Sequence, residues 1–189
     1  RVRATAHESF NRRFWNEERQ CLFDVVDVDH VRGRVDPAVR PNQVFAVGGL
    51  PSALLPIDRA RAVVDAVEGS LWTPFGLRSL APTEPGYAGR YAGGPAERDA
   101  VYHQGTVWPW LLGPFVEAWL RVRAFSAAAK TEAGQRFVKP MERHMLDDGL
   151  GHIAEVADAE PPHATGGCPF QAWSLGEFIR ARRLVQMNG

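Results

Sequence analysis

The feature that most constrains this fold is the run from residue 108 to residue 120. Trp108, Leu111, Leu112, Phe115, Val116, Trp119 and Leu120 recur at i, i+3, i+4, i+7, i+8, i+11 and i+12, one unbroken apolar helical face. A face this broad needs a core packed on it, so the spacing predicts a central helix, with Thr106 as its N-cap and Pro109 in its first turn. The approach to that helix, from Arg98 to Trp110, is polar and aromatic. Flat rings and hydrogen-bonding groups in a loop pinned to a buried helix suit a ligand with flat faces and polar edges. A sugar has both: C–H faces that lie on rings, and hydroxyls that need directional partners.

Bulk properties narrow the partners. With 22 Lys plus Arg against 22 Asp plus Glu, the net charge is zero, which argues against nucleic acid or an anionic membrane as the main partner. No apolar run reaches the length of a membrane span. At 189 residues the chain can bury one sizeable core. Its start, Arg1-Val2-Arg3-Ala4, has no initiating Met and no apolar signal core, and is expected to be a boundary inside a longer protein. Cys21 and Cys168 lie far apart in sequence, and are expected to be reduced thiols of a cytoplasmic protein. No cofactor is implied. His103, His152, His163 and Asp158 sit in stretches that can converge, yet no His-x-x-x-His or Cys-x-x-Cys spacing exists, so a metal hydrolase is disfavoured.

Taken in order, residues 4–17 read as a helix and Cys21 to Asp27 as a short strand or extended loop. Asp24 and Asp27 within it are read as turn or surface carboxylates rather than ligand contacts. Pro41 or Asn42 opens a helix whose later residues are all apolar; Arg40 and Gln43 at its start can meet substrate hydroxyls or simply tie loops together. Ile57 to Leu71 is amphipathic, with Ala60, Val63, Val64, Val67 and Leu71 on one face. Thr73 to His103 reads as a long glycine-containing loop, a kind of segment that commonly carries function. In it Arg78 and Asp99 either contact the ligand or pair with each other. Ala127 to Asp147 is helical with a kink at Pro140. Gly149 to Gly167 is a second loop, and a last helix opens near Cys168-Pro169. Three apolar helices alternating with amphipathic ones predict an all-α toroid with minor short strands, its loops gathered at the N-terminal ends of the inner helices.

Five segments then resemble a known family. They are Arg40-Pro41-Asn42-Gln43, Thr73 to Arg78, Tyr102 to Trp110, Gly151 to Glu155, and Gly167 to Ser174. In this order they resemble the C-terminal part of bacterial glycogen debranching enzymes of the amylo-α-1,6-glucosidase type. That resemblance implies the C-terminal half of an (α/α)6 barrel, about three helix pairs in a single helical domain. It also implies inverting hydrolysis of α-1,6-linked glucose in glycogen or limit dextrin. Such chemistry needs two carboxyl groups about 6.5–9.5 Å apart. The family's general base falls at Glu155. Its general acid is an Asp in a segment with no counterpart here, so this stretch alone is expected to be inactive or nearly so. The same match makes Trp108 and Trp173 stacking surfaces. It makes His103, Gln104, Arg78 and Asp99 partners of glucose hydroxyls, and Gln43 and Arg40 join them as candidates from their place at the start of the Pro41 helix alone. The partners implied are an α-glucan, the rest of the barrel, and a second copy where apolar surface is left bare. A non-catalytic glycan-binding or structural domain, or a sister α-glucosidase on the same barrel, remains the alternative.

Overall fold

In the computed structural model, which describes residues 2–147 and 149–187, the predicted central helix is buried from all sides. The helix α4 (Leu112–Arg121) buries Leu112, Phe115, Val116, Ala118, Trp119 and Leu120. It starts later than the sequence predicts. Val107–Trp108 is a strand and Pro109–Leu111 a 3-10 turn. Thr106 is not its cap, because its hydroxyl donates to the Val101 carbonyl at 2.9 Å. The apolar spacing at residues 108 and 111 therefore reports burial in the strand and turn that precede the helix.

Around α4 pack α2 (Ile57–Leu71) and α7 (Ala172–Gln186). The α2 boundaries are those the amphipathic stripe predicts, and Ala60, Val63, Val64, Val67 and Leu71 are its buried residues. The helix expected at Pro41 is a 3-10 stretch, Pro41–Ala46. It comes so close to α4 that a Cβ on Gly48 would overlap the backbone of Ala118. Helix α1 (Val2–Arg13) is shorter than predicted and buries no residue among those described. Its Phe10 stacks on Phe14 just past its end, and its Asn11 donates to the Leu54 carbonyl and accepts from Arg59, after which Trp15–Asn16 turns into strand β1, paired with β2 (Cys21–Leu22).

Residues 127–147 stay helical across Pro140, as α5 (Ala127–Ala133), a π turn (Gly134–Val138) and α6 (Lys139–Asp147). A proline lacks the N–H that would bond back to residue i−4. The wider turn just before it takes up that break and points Phe137 and Val138 inward. The Phe137 ring meets the edges or faces of Trp72, Phe115 and Trp119 with centroids 4.8, 5.1 and 5.4 Å away.

The two long loops are more structured than their composition suggests. The first contains α3 (Pro95–Val101) and strands β5 (Trp72–Thr73) and β6 (Gly76–Arg78). The hairpin β3 (Val25–Val26) and β4 (Val35–Asp36) stands apart. Strands β5 and β6 join β7 (Val107–Trp108), β8 (Val156–Ala157) and β9 (Thr165–Gly166) in one antiparallel ladder, in sequence order. Leu77 faces Trp108, Val107 faces Ala157, and Val156 faces Gly166. The described residues are thus a helical body with a ladder of very short strands laid over the N-terminal ends of α4 and α7. No described helix is long and apolar enough to cross a membrane. Cys21 is buried and Cys168 exposed, and both are free thiols.

Because Phe137 is completely buried among three aromatic rings, Phe137→Ala is expected to lower stability by about 3–5 kcal/mol, read as a lower denaturation midpoint with an unchanged m-value.

Candidate active site

The ladder brings together segments distant in sequence. Strand β7 delivers Trp108, the turn before β8 delivers Glu155, and the chain leaving β9 delivers Cys168. Glu155 is fixed to this frame by its own backbone, whose N–H donates to the Cys168 carbonyl at 2.8 Å. Its carboxylate receives two donors in return. The Tyr102 hydroxyl donates to Oε1 at 2.6 Å and the Cys168 amide to Oε2 at 3.0 Å. Gly167 makes room for this arrangement. It has φ +68°, and a Cβ there would run into the Glu155 side chain, so an L side chain would be both strained and obstructive.

Next to this carboxylate lies an open cleft of about 730 Å³. Its walls include Asp99, His103, Gln104, Trp108, Trp173 and Arg40, six of the nine residues predicted for the site. The tryptophans are not equivalent. The Trp108 ring is 7% exposed, with the His103 ring stacked parallel on it at 5.3 Å and the Tyr102 and Trp173 rings at its edges. Trp173 is 50% exposed and backed by Trp110 at 5.8 Å. The open aromatic surfaces of the cleft are therefore those of Trp173 and His103, with Trp108 supporting both.

Three predicted residues stand elsewhere. Glu155 is outside the cleft lining and reaches it through Tyr102, whose ring touches both His103 and Trp108. Arg78 donates to the carbonyls of Trp72 and Ala159 at 3.0 and 3.3 Å. It thereby ties the first strand of the ladder to the loop after β8, and does not pair with Asp99. Gln43 is buried, accepting from the Leu22 amide and donating to the Arg40 carbonyl.

Arg40 lines the cleft and also spans it. Its Nη1 donates to the carbonyls of Ser79 and His103 at 3.1 and 2.6 Å, and its Nη2 to Gln104 Oε1 at 2.7 Å. Its Nε faces Asp24 at 3.5 Å. One planar guanidinium thus holds three chain segments in register, which a lysine's point charge would not do.

Asp24 corrects the sequence reading. It lies in the cleft wall, largely buried, rather than on an ordinary surface turn. Burial pushes its pKa up, the Arg40 guanidinium pulls it partly back, and Asp36 adds to the rise. Asp27 is the more solvated of the two, accepting from Gly33 and pairing with Arg13. His152, three residues before Glu155 in sequence, packs on Phe170 instead. Tyr102 and Asp24 are the functional candidates that residue patterns underrated. The signal for Tyr102 was its place in the Tyr-His-Gln-Gly run, directly before His103. Among the described residues no group of three or more His, Cys, Asp or Glu is placed to hold a metal ion.

A hydrogen-bonded carboxylate thus stands beside an open cleft of aromatic and polar side chains on a helical body. The fold is matched by neutral trehalase from Saccharomyces cerevisiae, with a TM-score of 0.65 and 17% identity over 99% of this chain and 30% of that one. In sequence, residues 1–180 match the amylo-alpha-1,6-glucosidase family, and the chain belongs to that family. It is 26% identical over 157 residues to the glycogen debranching enzyme of Saccharomyces cerevisiae. That alignment covers 74% of this chain and 10% of the yeast protein, so the chain spans about a tenth of that relative's length.

The Asp24 environment gives a pH signature. Its raised pKa means the folded state holds the proton more tightly than the unfolded chain, so stability from this group is gained as pH falls through the raised value. Relative to Asp24→Asn, the wild-type protein should therefore gain stability between pH 7 and pH 4, measured by urea unfolding at both values.

Proposed function

We propose that this chain is the C-terminal part of a glycogen debranching enzyme that hydrolyses α-1,6-glucosidic linkages in glycogen or limit dextrin with inversion. The observation that carries this reading is the Glu155 carboxylate, gripped by Tyr102 and Cys168 beside the cleft of Trp173 and His103. Membership of the amylo-alpha-1,6-glucosidase family supports it.

In this reading Glu155 is the general base. It takes a proton from water as the water oxygen attacks the anomeric carbon. The glycosidic C–O bond breaks, and its electron pair leaves on the departing oxygen, which a second carboxyl group protonates from the opposite face. That acid is supplied by polypeptide outside residues 1–189. The glucose ring lies on Trp173 and His103. Arg40 occupies the oxygen of the Gln104 amide, leaving its NH₂ to donate to a hydroxyl, and Asp99 accepts from another. Arg78 and Gln43 serve by holding the frame rather than by touching sugar.

The partners follow from the same reading. An α-glucan fills the cleft. The remaining part of a barrel covers the adjoining apolar pocket of about 220 Å³, lined by Phe10, Phe14, Phe23 and Phe45. Without that cover, the same surface promotes self-association. The cytoplasm, where glycogen is held, is the proposed setting.

In the full-length protein, Glu155→Gln is expected to lower glucose release from limit dextrin by at least about 10²–10⁴-fold while dextrin binding is kept. Unchanged turnover would sink the assignment, and would leave a glycan-binding role for the cleft. Residues 1–189 alone should release glucose at a rate about 10²–10⁴-fold or more below the full-length protein.

A further inference from the structure

We propose that Tyr102 is the positioning residue for Glu155: its phenol holds one carboxylate oxygen while its ring packs against His103 and Trp108 of the cleft wall, so the base is aimed from behind the surface that receives the sugar. This inference rests on the reading of Glu155 as the general base.

A glutamate has three side-chain torsions, and a base is useful only within about 2.6–3.2 Å of the proton it removes. Something must fix where the carboxylate points. The Cys168 amide fixes Oε2 from one side, and the Tyr102 hydroxyl fixes Oε1 from the other at 2.6 Å. The phenol is itself constrained. Its ring lies 4.7 Å from Trp108, 5.0 Å from His103 and 5.6 Å from Tyr91. The backbone carbonyl of Tyr102 accepts from the Trp108 indole N–H at 3.1 Å, so Tyr102 and Trp108 are clasped at both backbone and ring.

The chemistry of the phenol suits this role. Burial, and then the hydrogen bond to Glu155 and its negative charge, push the Tyr102 pKa far above the ordinary tyrosine value. The hydroxyl therefore keeps its proton at neutral pH and donates to the carboxylate. Such a bond to an ionised acceptor is short and directional. It also connects the base to the cleft wall, since Glu155 and Tyr102 both lie outside the cleft lining and Tyr102 packs on the lining residues His103 and Trp108. Tyr91, half-buried against Tyr102, is held by its own amide donating to Asp158 Oδ1 at 2.7 Å. The loop after β8 thus braces Tyr102 from behind.

The test is Tyr102→Phe in the full-length protein, which deletes one hydroxyl and keeps the ring packing. Misplacing a catalytic group by about 1 Å costs on the order of 10²-fold in rate, so kcat for limit dextrin should fall by about 10–100-fold. KM should change by less than about threefold, because Trp173 and His103 keep their places. The melting temperature should stay near that of the wild type. Tyr102→Leu, which also removes the ring packed against His103 and Trp108, should lose kcat to at least the same extent and raise KM as well.

Glu155→Gln, measured alongside, separates the two ideas. If Glu155→Gln turns over normally, the base assignment fails and takes this inference with it. If Glu155→Gln is inactive while Tyr102→Phe keeps its kcat, the positioning role alone is overturned. A Tyr102→Phe protein whose kcat and KM change in parallel with a large drop in melting temperature likewise overturns it, since the hydroxyl would then be supporting the fold rather than the carboxylate.

Discussion

The constraint on which the rest depends is the five-strand ladder across the ends of the helices. Each strand contributes only two or three residues, too few to stand alone. They pair because helices α2, α4 and α7, whose core faces are already buried, deliver their flanking chain to one place. The pairing of Leu77 with Trp108, Val107 with Ala157 and Val156 with Gly166 then sets which side chains meet. A slip of one residue would send Trp108 and its neighbours to the opposite face. Glu155, Trp108 and Cys168 lie near one another because this register holds.

The ladder explains the division of labour among the polar residues. Charged and amide groups that look like ligand contacts are in several cases ties between strands and loops. Arg78 joins the first strand of the ladder to the loop after β8 through two carbonyls, and Gln43 joins β2 to the chain at Arg40. Arg40 does both jobs, lining the cleft while bonding Ser79, His103 and Gln104. A buried backbone carbonyl needs a donor as much as a ligand hydroxyl does. The residue types that recognise sugars are therefore also the ones that close loops.

Aromatic residues divide in the same way. Trp119 and Phe137 are core, the indole N–H of Trp119 satisfied by Glu68 at 2.8 Å. Trp108 is also buried, but its neighbours His103 and Trp173 are open to the cleft. The site is thus an edge of the core: buried Trp108 carries a second group of rings, and its members His103 and Trp173 are left uncovered.

What the sequence determined by itself is the helical body and the identity of the segments at its ends. The stripe of α2 and the apolar run into α4 are periodic, and periodicity is local information. The family motifs around Tyr102, Glu155 and Cys168 were legible for the same reason, as short contiguous strings. The sequence did not show that Thr106 is no cap, that the chain at Pro41 makes only a 3-10 turn, or that β5 to β9 pair. Strands of two residues carry no period, and their partners are as far apart as residues 107 and 157. The tertiary structure alone decided that Tyr102 stands between Glu155 and the cleft, that Asp24 is a buried wall residue and that Arg78 is a tie. Burial and partnership of a polar side chain are set by what long-range packing brings against it, and no local pattern encodes that.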